Sequence, residues 1–312
     1  MSETPDPLAG LRAPPAPPDA RASSLLRPPS GALREGETVI VGLPYDGGIP
    51  TRPGARFGPR AIREALAAFG TWDGERDASP ATDLGDLALP TTDGREAHRR
   101  IEEAARTVFA AGARPIFLGG DHGCTGSVIR GLAAARPGLR LGLITIDAHL
   151  DVREYANDAS LSSGTPFRRA LETEIVGGER VAMIGIRRFA NARYYLDWAA
   201  ARRIRLFPVD ELARDGAAAT AAAALDAATR DADALYLSID MDAVDAAYAP
   251  GVSASGIGGI TAREMIELVT IISTHPKLIA ADVMELSPPY DQDARTAKLA
   301  ARLVLELLAG RA

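Results

Sequence analysis

The chain has 312 residues, of which 46% are hydrophobic, 24% charged and only 5% aromatic, a composition that excludes a disordered or membrane-embedded chain and suffices for a large core. A formal net charge of -6 argues against the basic face that phosphate neutralisation needs, so no nucleic-acid partner is expected. The single cysteine, Cys124, excludes an internal disulfide and a thiolate metal site; any metal is held by oxygen and imidazole, and the cytoplasm is the expected compartment.

Residues 1–35 include the stretch PPAPPDARASSLLRPPS, which has no regular apolar period and is expected to be an extended or mobile arm outside the core. The first seven residues carry acid and proline without an apolar h-region, and no run of about 18 apolar residues occurs, so neither export nor membrane insertion is expected. From Glu37 onward, β-branched and aliphatic runs alternate with alanine-rich helical stretches. Strands are predicted at 38–42, 115–118, 141–146, 180–185, 234–239 and 278–283. Helices are predicted at 59–68, 97–111, 126–135, 191–201, 218–228, 262–273 and 296–308. This alternation is that of a parallel sheet covered by helices, an α/β class. With no internal repeat and no linker after residue 35, residues 36–312 read as one domain.

Polar clusters follow four of these strands: GGDHG at 119–123, DAHLD at 147–151, SIDMDAVD at 238–245 and MELSPPYD at 284–291. In open α/β sheets the carboxyl ends of strands share one rim, so clusters distant in sequence can meet in one crevice. Asp147, His149 and Asp151 recur at every second residue, as do Asp240 and Asp242, so each set projects to one side of an extended segment. Four carboxylates in one cleft repel one another unless a cation is present, and His122 and His149 are available to complete its shell. The set is too rich in oxygen for structural zinc and too rich in nitrogen for calcium. Two manganese ions fit best, with iron, nickel or zinc as alternatives. Two divalent ions roughly 3.5 to 4 Å apart lower the pKa of a shared water towards neutrality, which makes hydrolysis the expected chemistry.

Taken singly, these residues have plainer roles. An Asp-x-Asp at a strand end is ordinarily a cap or a turn former, and a lone histidine is ordinarily packed. Yet the chain has only four histidines, and two of them, His122 and His149, stand beside strand-end aspartates. Gly119 and Gly120 lack the Lys and Ser/Thr of a phosphate loop and more simply permit the tight turn before His122. Cys124 reads as a buried, inert thiol rather than an activated one.

GGDHG, DAHLD, SIDMD and MEL, in this order and spacing, resemble the signatures of the ureohydrolase superfamily, the arginases and agmatinases. The flanks GLPYDGGIPTRPGARFGPRAIR at 42–63 and SPPYDQDARTAKLAARLV are similar to the family too, so nearly all of the chain beyond residue 35 is covered. The resemblance implies a three-layer α/β/α, arginase-like fold with a parallel sheet of about eight strands, and assembly as a homo-trimer or homo-hexamer. It implies that His122, Asp147, Asp151 and Asp240 hold one ion and Asp147, His149, Asp240 and Asp242 the other, with Asp147 and Asp240 bridging. Glu285 matches the glutamate that pairs with a cationic guanidinium or amidine carbon.

One departure bears on the substrate. Agmatinases and guanidinobutyrases generally read His-Gly-Thr-Pro where this chain has Ser163-Gly164-Thr165-Pro166, so a shuttle histidine is replaced by Ser163. SSGTPFRR, DVRE at 151–154 and IGIRRFANARYYLDWA at 184–199 look more like formimidoylglutamase, which releases formamide and glutamate. Asp151 is then the candidate proton relay to the leaving amine. Arg153, Ser163, Arg187, Arg188 and Asn191 are candidate contacts to the substrate and its two carboxylates, while a dication such as agmatine is poorly served by arginines. The alternatives are a guanidino-acid hydrolase that releases urea, and a metal-binding family member without turnover.

Overall fold

Apolar side chains alternate along the central strands. Leu141 and Leu143 pack on one side of the sheet and Ile144 and Ile146 on the other; Ala234 and Tyr236 oppose Leu235, Leu237 and Ile239. A strand with both faces apolar must be covered twice, and the chain supplies a helical layer for each face. The computed structural model describes residues 20–158 and 160–310. In chain order the strands are β1 (Leu26–Arg27), β2 (Thr38–Gly42), β3 (Ala81–Asp86), β4 (Arg114–Leu118), β5 (Leu141–Ile146), β6 (Val176–Ile186), β7 (Arg205–Pro208), β8 (Ala234–Asp240) and β9 (Leu278–Met284). They form one parallel sheet in the order β1, β3, β2, β4, β9, β8, β5, β6, β7.

The helices are α1 (Gly58–Ala65), α2 (Gly94–Ala110), α3 (Gly123–Ala135), α4 (Pro166–Leu171), α5 (Arg193–Ala201), α6 (Val209–Asp215), α7 (Ala217–Thr229), α8 (Ala262–Ser273) and α9 (Arg295–Ala309). Helices α2, α3, α4 and α5 bury their apolar residues on one face of the sheet and α1, α6, α7, α8 and α9 on the other. The three-layer α/β/α arrangement is therefore the one expected. Helix starts follow local chemistry: Thr261 and Glu264 close a capping box at α8, and Asp93 accepts the Glu96 N–H at α2. Among the described residues no helix is long and apolar enough to cross a membrane.

The sheet order positions the site. β4, β9, β8 and β5 are consecutive neighbours at the centre of the sheet, and they are the four strands that lead into the polar clusters. Because all run parallel, all four clusters emerge on the same rim.

The amino-terminal boundary needs correction. Residues 1–19 lie outside the described residues, but within 20–35, expected to stand apart from the core, residues 22–27 do not. Ala22 and Leu25 are buried, the Ala22 N–H donates to the Phe69 carbonyl at 2.9 Å, and Leu26 and Arg27 pair with Ala81 and Thr82. Two leucines between prolines are too short a run to show a period, yet they cover the otherwise open edge of β3.

Candidate metal centre

The turn after β4 is held to its neighbours by backbone: the Gly119 N–H donates to the Val283 carbonyl at 2.8 Å, the Asp121 N–H to Tyr45 at 2.7 Å, and the Glu285 N–H to Gly120 at 2.9 Å. A Cβ on Gly120 would strike the Tyr45 carbonyl, so only glycine fits this approach. The turn leaves His122 at the start of α3, fully buried. Its Nδ1 faces oxygens of Asp240 at 3.0 Å, Asp151 at 3.1 Å and Asp147 at 3.2 Å. His149 Nδ1 lies 3.3 Å from Asp242 and 3.6 Å from Asp147. Two groups with metal-ligand geometry result: His122, Asp147, Asp151 and Asp240, and Asp147, His149 and Asp242. Asp147 is common to both; Asp240, the other expected bridge, belongs to the first, and its Oδ1 accepts the Asp242 N–H at 2.7 Å.

Proton placement tests whether these groups suit cations. Asp282 is fully buried and accepts from Thr125 Oγ1, Tyr236 OH and Ser238 Oγ, each at 2.7 Å. Ser238 has thus committed its proton to Asp282, and its contact with His122 Nε2 at 2.9 Å has Nε2–H as the donor. The neutral imidazole then presents a lone pair at Nδ1 to three carboxylates. A metal ion between them relieves that repulsion, as does a proton on Nδ1 when none is bound: burial pulls His122 down, but Asp147, Asp151 and Asp240 outweigh it and hold the ring well above its ordinary range. His122 Nδ1, Asp147 Oδ2 and Asp242 Oδ1 are buried without a hydrogen-bond partner among the described residues. The carboxylates register the same crowding. Burial and then Asp242 and Asp147 push Asp240 well up, and burial with Asp147 raises Asp151 to about 6. The donor set fits divalent metal ions.

Two residues of this rim, Asp151 (φ 48°) and Glu285 (φ 67°), adopt left-handed backbone, which a non-glycine residue holds only where its surroundings fix it. Glu285 accepts the His122 N–H at 2.7 Å and the Ser253 hydroxyl. Burial, followed by Asp121, lifts its carboxyl to about 8.

A cavity of about 390 Å³ opens onto the cluster, with His149, Asp151, Asp240, Asp242 and Glu285 in its wall. Arg153 and Ser163 line it as well; the Ser163 N–H is anchored on the Gly48 carbonyl at 3.0 Å. The other proposed substrate contacts are not in its wall. Arg187 is buried and donates to the Asp242 carbonyl at 3.2 Å. Arg188 is exposed, 3.7 Å from Asp210. Asn191 accepts the Leu150 N–H at 2.9 Å and donates to the Ala148 carbonyl at 3.1 Å, so it holds the DAHLD segment in place. Sequence reasoning missed Asp282, Ser238, Thr125, Tyr236 and Ser253; the one available signal was a lone acid inside the apolar strand LIAADVM. Cys124 is buried, and burial raises its thiol well above its ordinary range, as an inert thiol requires.

The geometry agrees with the comparisons. A profile of the Arginase family matches residues 36–310. The chain is 37% identical to a formimidoylglutamase of Halobacterium salinarum over 278 residues, 88% of each chain. It is 35% identical to the mitochondrial guanidino acid hydrolase of Homo sapiens, over 91% of this chain and 81% of that one. A Trypanosoma cruzi formiminoglutamase solved with Mn2+2 superposes with a TM-score of 0.84 at 28% identity, covering 94% of this chain and 98% of the other. With its parallel sheet, its Asp/His metal site and a profile match over nearly all of the described residues, the chain belongs to the arginase family of hydrolases.

Proposed function

We propose that this protein is a binuclear manganese hydrolase that converts N-formimidoyl-L-glutamate and water to L-glutamate and formamide. The observation that carries the reading is the polarity of the cavity. Its floor is built of carboxylates, and Arg153 is the only arginine or lysine among the described residues that line it. Such a cavity suits a substrate with an amidinium at one end and carboxylate at the other, and disfavours agmatine, whose second cation would meet Arg153.

In this reading His122, Asp147, Asp151 and Asp240 would hold one ion, and Asp147, His149 and Asp242 the other, with Asp240 available to both. Four carboxylates and two imidazoles favour manganese. Bound there, the two ions supply Lewis acidity and a nucleophile at neutral pH. The chain's own residues do the rest. Arg153 binds a substrate carboxylate, Glu285 keeps free lone pairs to orient the amidinium N–H groups, and Asp151 passes a proton to the glutamate nitrogen as the C–N bond breaks. Ser163 occupies the place of a shuttle histidine without titrating near neutrality. A homo-trimer or homo-hexamer in the cytoplasm is the setting we infer.

A second reading, a guanidino-acid hydrolase, is supported by the same Arg153, since those substrates also carry a carboxylate. Product NMR on manganese-loaded protein separates the two: we expect formamide from formimidoylglutamate, abolished in Asp147→Asn, whereas urea from 4-guanidinobutyrate would establish the second. In Arg153→Gln, loss of a charged hydrogen bond worth about 1.5–3 kcal/mol should raise KM by roughly 10- to 100-fold with a smaller change in kcat. Bound metal without turnover on either substrate would replace both readings with a non-catalytic role.

A further inference from the structure

A second cavity, of about 380 Å³, lies where α2, α3 and α4 meet, and it shares no lining residue with the metal cavity. Its wall holds a guanidinium that makes no ion pair among the described residues. Arg169 is 1% exposed; its Nη1 donates to the Gly123 carbonyl at 2.9 Å and its Nη2 to Ser127 Oγ at 2.7 Å, while Nε–H has no partner among the described residues. A buried cation without a counter-charge is costly.

Beside it, His98 is 4% exposed. Ser127 Oγ receives the Arg169 N–H, and among the described residues the one acceptor within reach of its own proton is His98 Nδ1 at 2.9 Å. That assigns the ring proton to Nε2, which is buried and unpartnered. Burial, reinforced by Arg169, pulls His98 down to about 3, so the ring is neutral near pH 7. Two residues of this wall therefore each hold a buried N–H donor without an acceptor among the described residues. Around them the lining contains Arg95, Arg99, Arg106 and Arg130 against Glu102, Glu103 and Asp158. Arg99 and Arg106 are engaged by Glu96 and Glu103, and Arg95 makes no ion pair among the described residues.

We propose that this cavity binds a small oxyanion, a phosphate or a carboxylate group, through Arg169 and the Nε2–H of His98. The anion supplies the missing counter-charge and accepts from both orphaned donors. Through the Gly123 carbonyl and Ser127, Arg169 ties the site to the first turn of α3, whose start carries His122. The inference requires no assignment of the catalytic substrate.

The test is ¹⁵N NMR of histidine-labelled protein loaded with diamagnetic zinc, titrated separately with inorganic phosphate and with L-glutamate at constant ionic strength. With four histidines in the chain, the His98 resonances are assigned by their loss in His98→Asn. A saturating shift at His98 Nε2 is expected. Response to phosphate alone, glutamate alone or both supports the site and identifies the class it prefers. No response at His98, or shifts only at His122 and His149, overturns it. Arg169→Gln should abolish the shift, and a shift persisting in a folded variant refutes the proposal. Should that variant not fold, Arg95→Gln with Arg130→Gln should raise the half-saturating concentration several-fold, and an unchanged value likewise refutes it.

Discussion

Asp282 never reaches the metal cavity, yet it sets the proton that determines whether His122 can ligate. Ser238 gives its hydroxyl proton to Asp282 Oδ1 at 2.7 Å and is then free to accept from His122 Nε2. In Asp282→Asn the amide oxygen remains with Thr125 and Tyr236, the two donors to Oδ2, and the NH2 group faces Ser238. Ser238 must then turn its proton towards His122 Nε2, which moves the ring proton to Nδ1 and removes the lone pair from the carboxylate cluster. Partners of this kind typically contribute 10- to 100-fold in metal affinity. We therefore expect a loss of about that size in manganese affinity, with the fold retained. Unchanged affinity would dissociate Asp282 from the metal site.

At the scale of elements, the amino-terminal edge shows how little chain closes a sheet. Leu25 is 7% exposed, within the core cluster that contains Ile62 and Leu66, and it precedes the two residues that pair with β3. Leu25→Ala should cost about 2–3 kcal/mol, the lower part of the range for buried leucines because an edge relaxes readily. Urea unfolding at fixed metal concentration checks this, and a loss within about 0.5 kcal/mol, the usual size of a surface substitution, would mean that the segment merely lies on the surface. That edge was also where the sequence was hardest to read. Helix α8 was predicted to the residue, and the central strands were visible as apolar runs. β3, ATDLGD, covered on its outer side only by the two residues of β1, and the edge strand β7, RLFP, have no such run, because strands at the margin of a sheet need neither two apolar faces nor length. The acid and histidine cluster was legible because two of only four histidines stand beside strand-end aspartates, a combination that the plain cap or turn reading does not explain. Arg187, Arg188 and Asn191 were harder to place, because Gly185 (φ 96°) turns the chain before the two arginines and Phe189 (φ 63°) before Asn191, and the direction of a side chain beyond such a turn is not written in its spacing.

For the whole molecule, chain order and spatial order diverge where function requires it. β4 and β5 are consecutive in sequence, but β9 and β8 lie between them, so residues from Asp121 to Glu285 meet on one rim only once the last strand has been inserted. Cations held at that rim would join loops from β4, β5 and β8 directly, and β9 through Glu285, which accepts the His122 N–H. Their removal should therefore loosen the centre of the sheet rather than its periphery. With free metal about 1,000-fold above Kd, one site stabilises the folded chain by about 4 kcal/mol. At about 2 °C per kcal/mol for a chain of this size, chelation should lower Tm by about 8 °C. Amide exchange should localise the change: protection lost at the carboxyl ends of β4, β5, β8 and β9, and kept in β1 and β3. A Tm unchanged after metal loss verified by mass spectrometry would mean that protons replace the ions at no cost to the fold. Loss of protection spread evenly across the sheet would mean that the ions stabilise the domain without acting as its central cross-link.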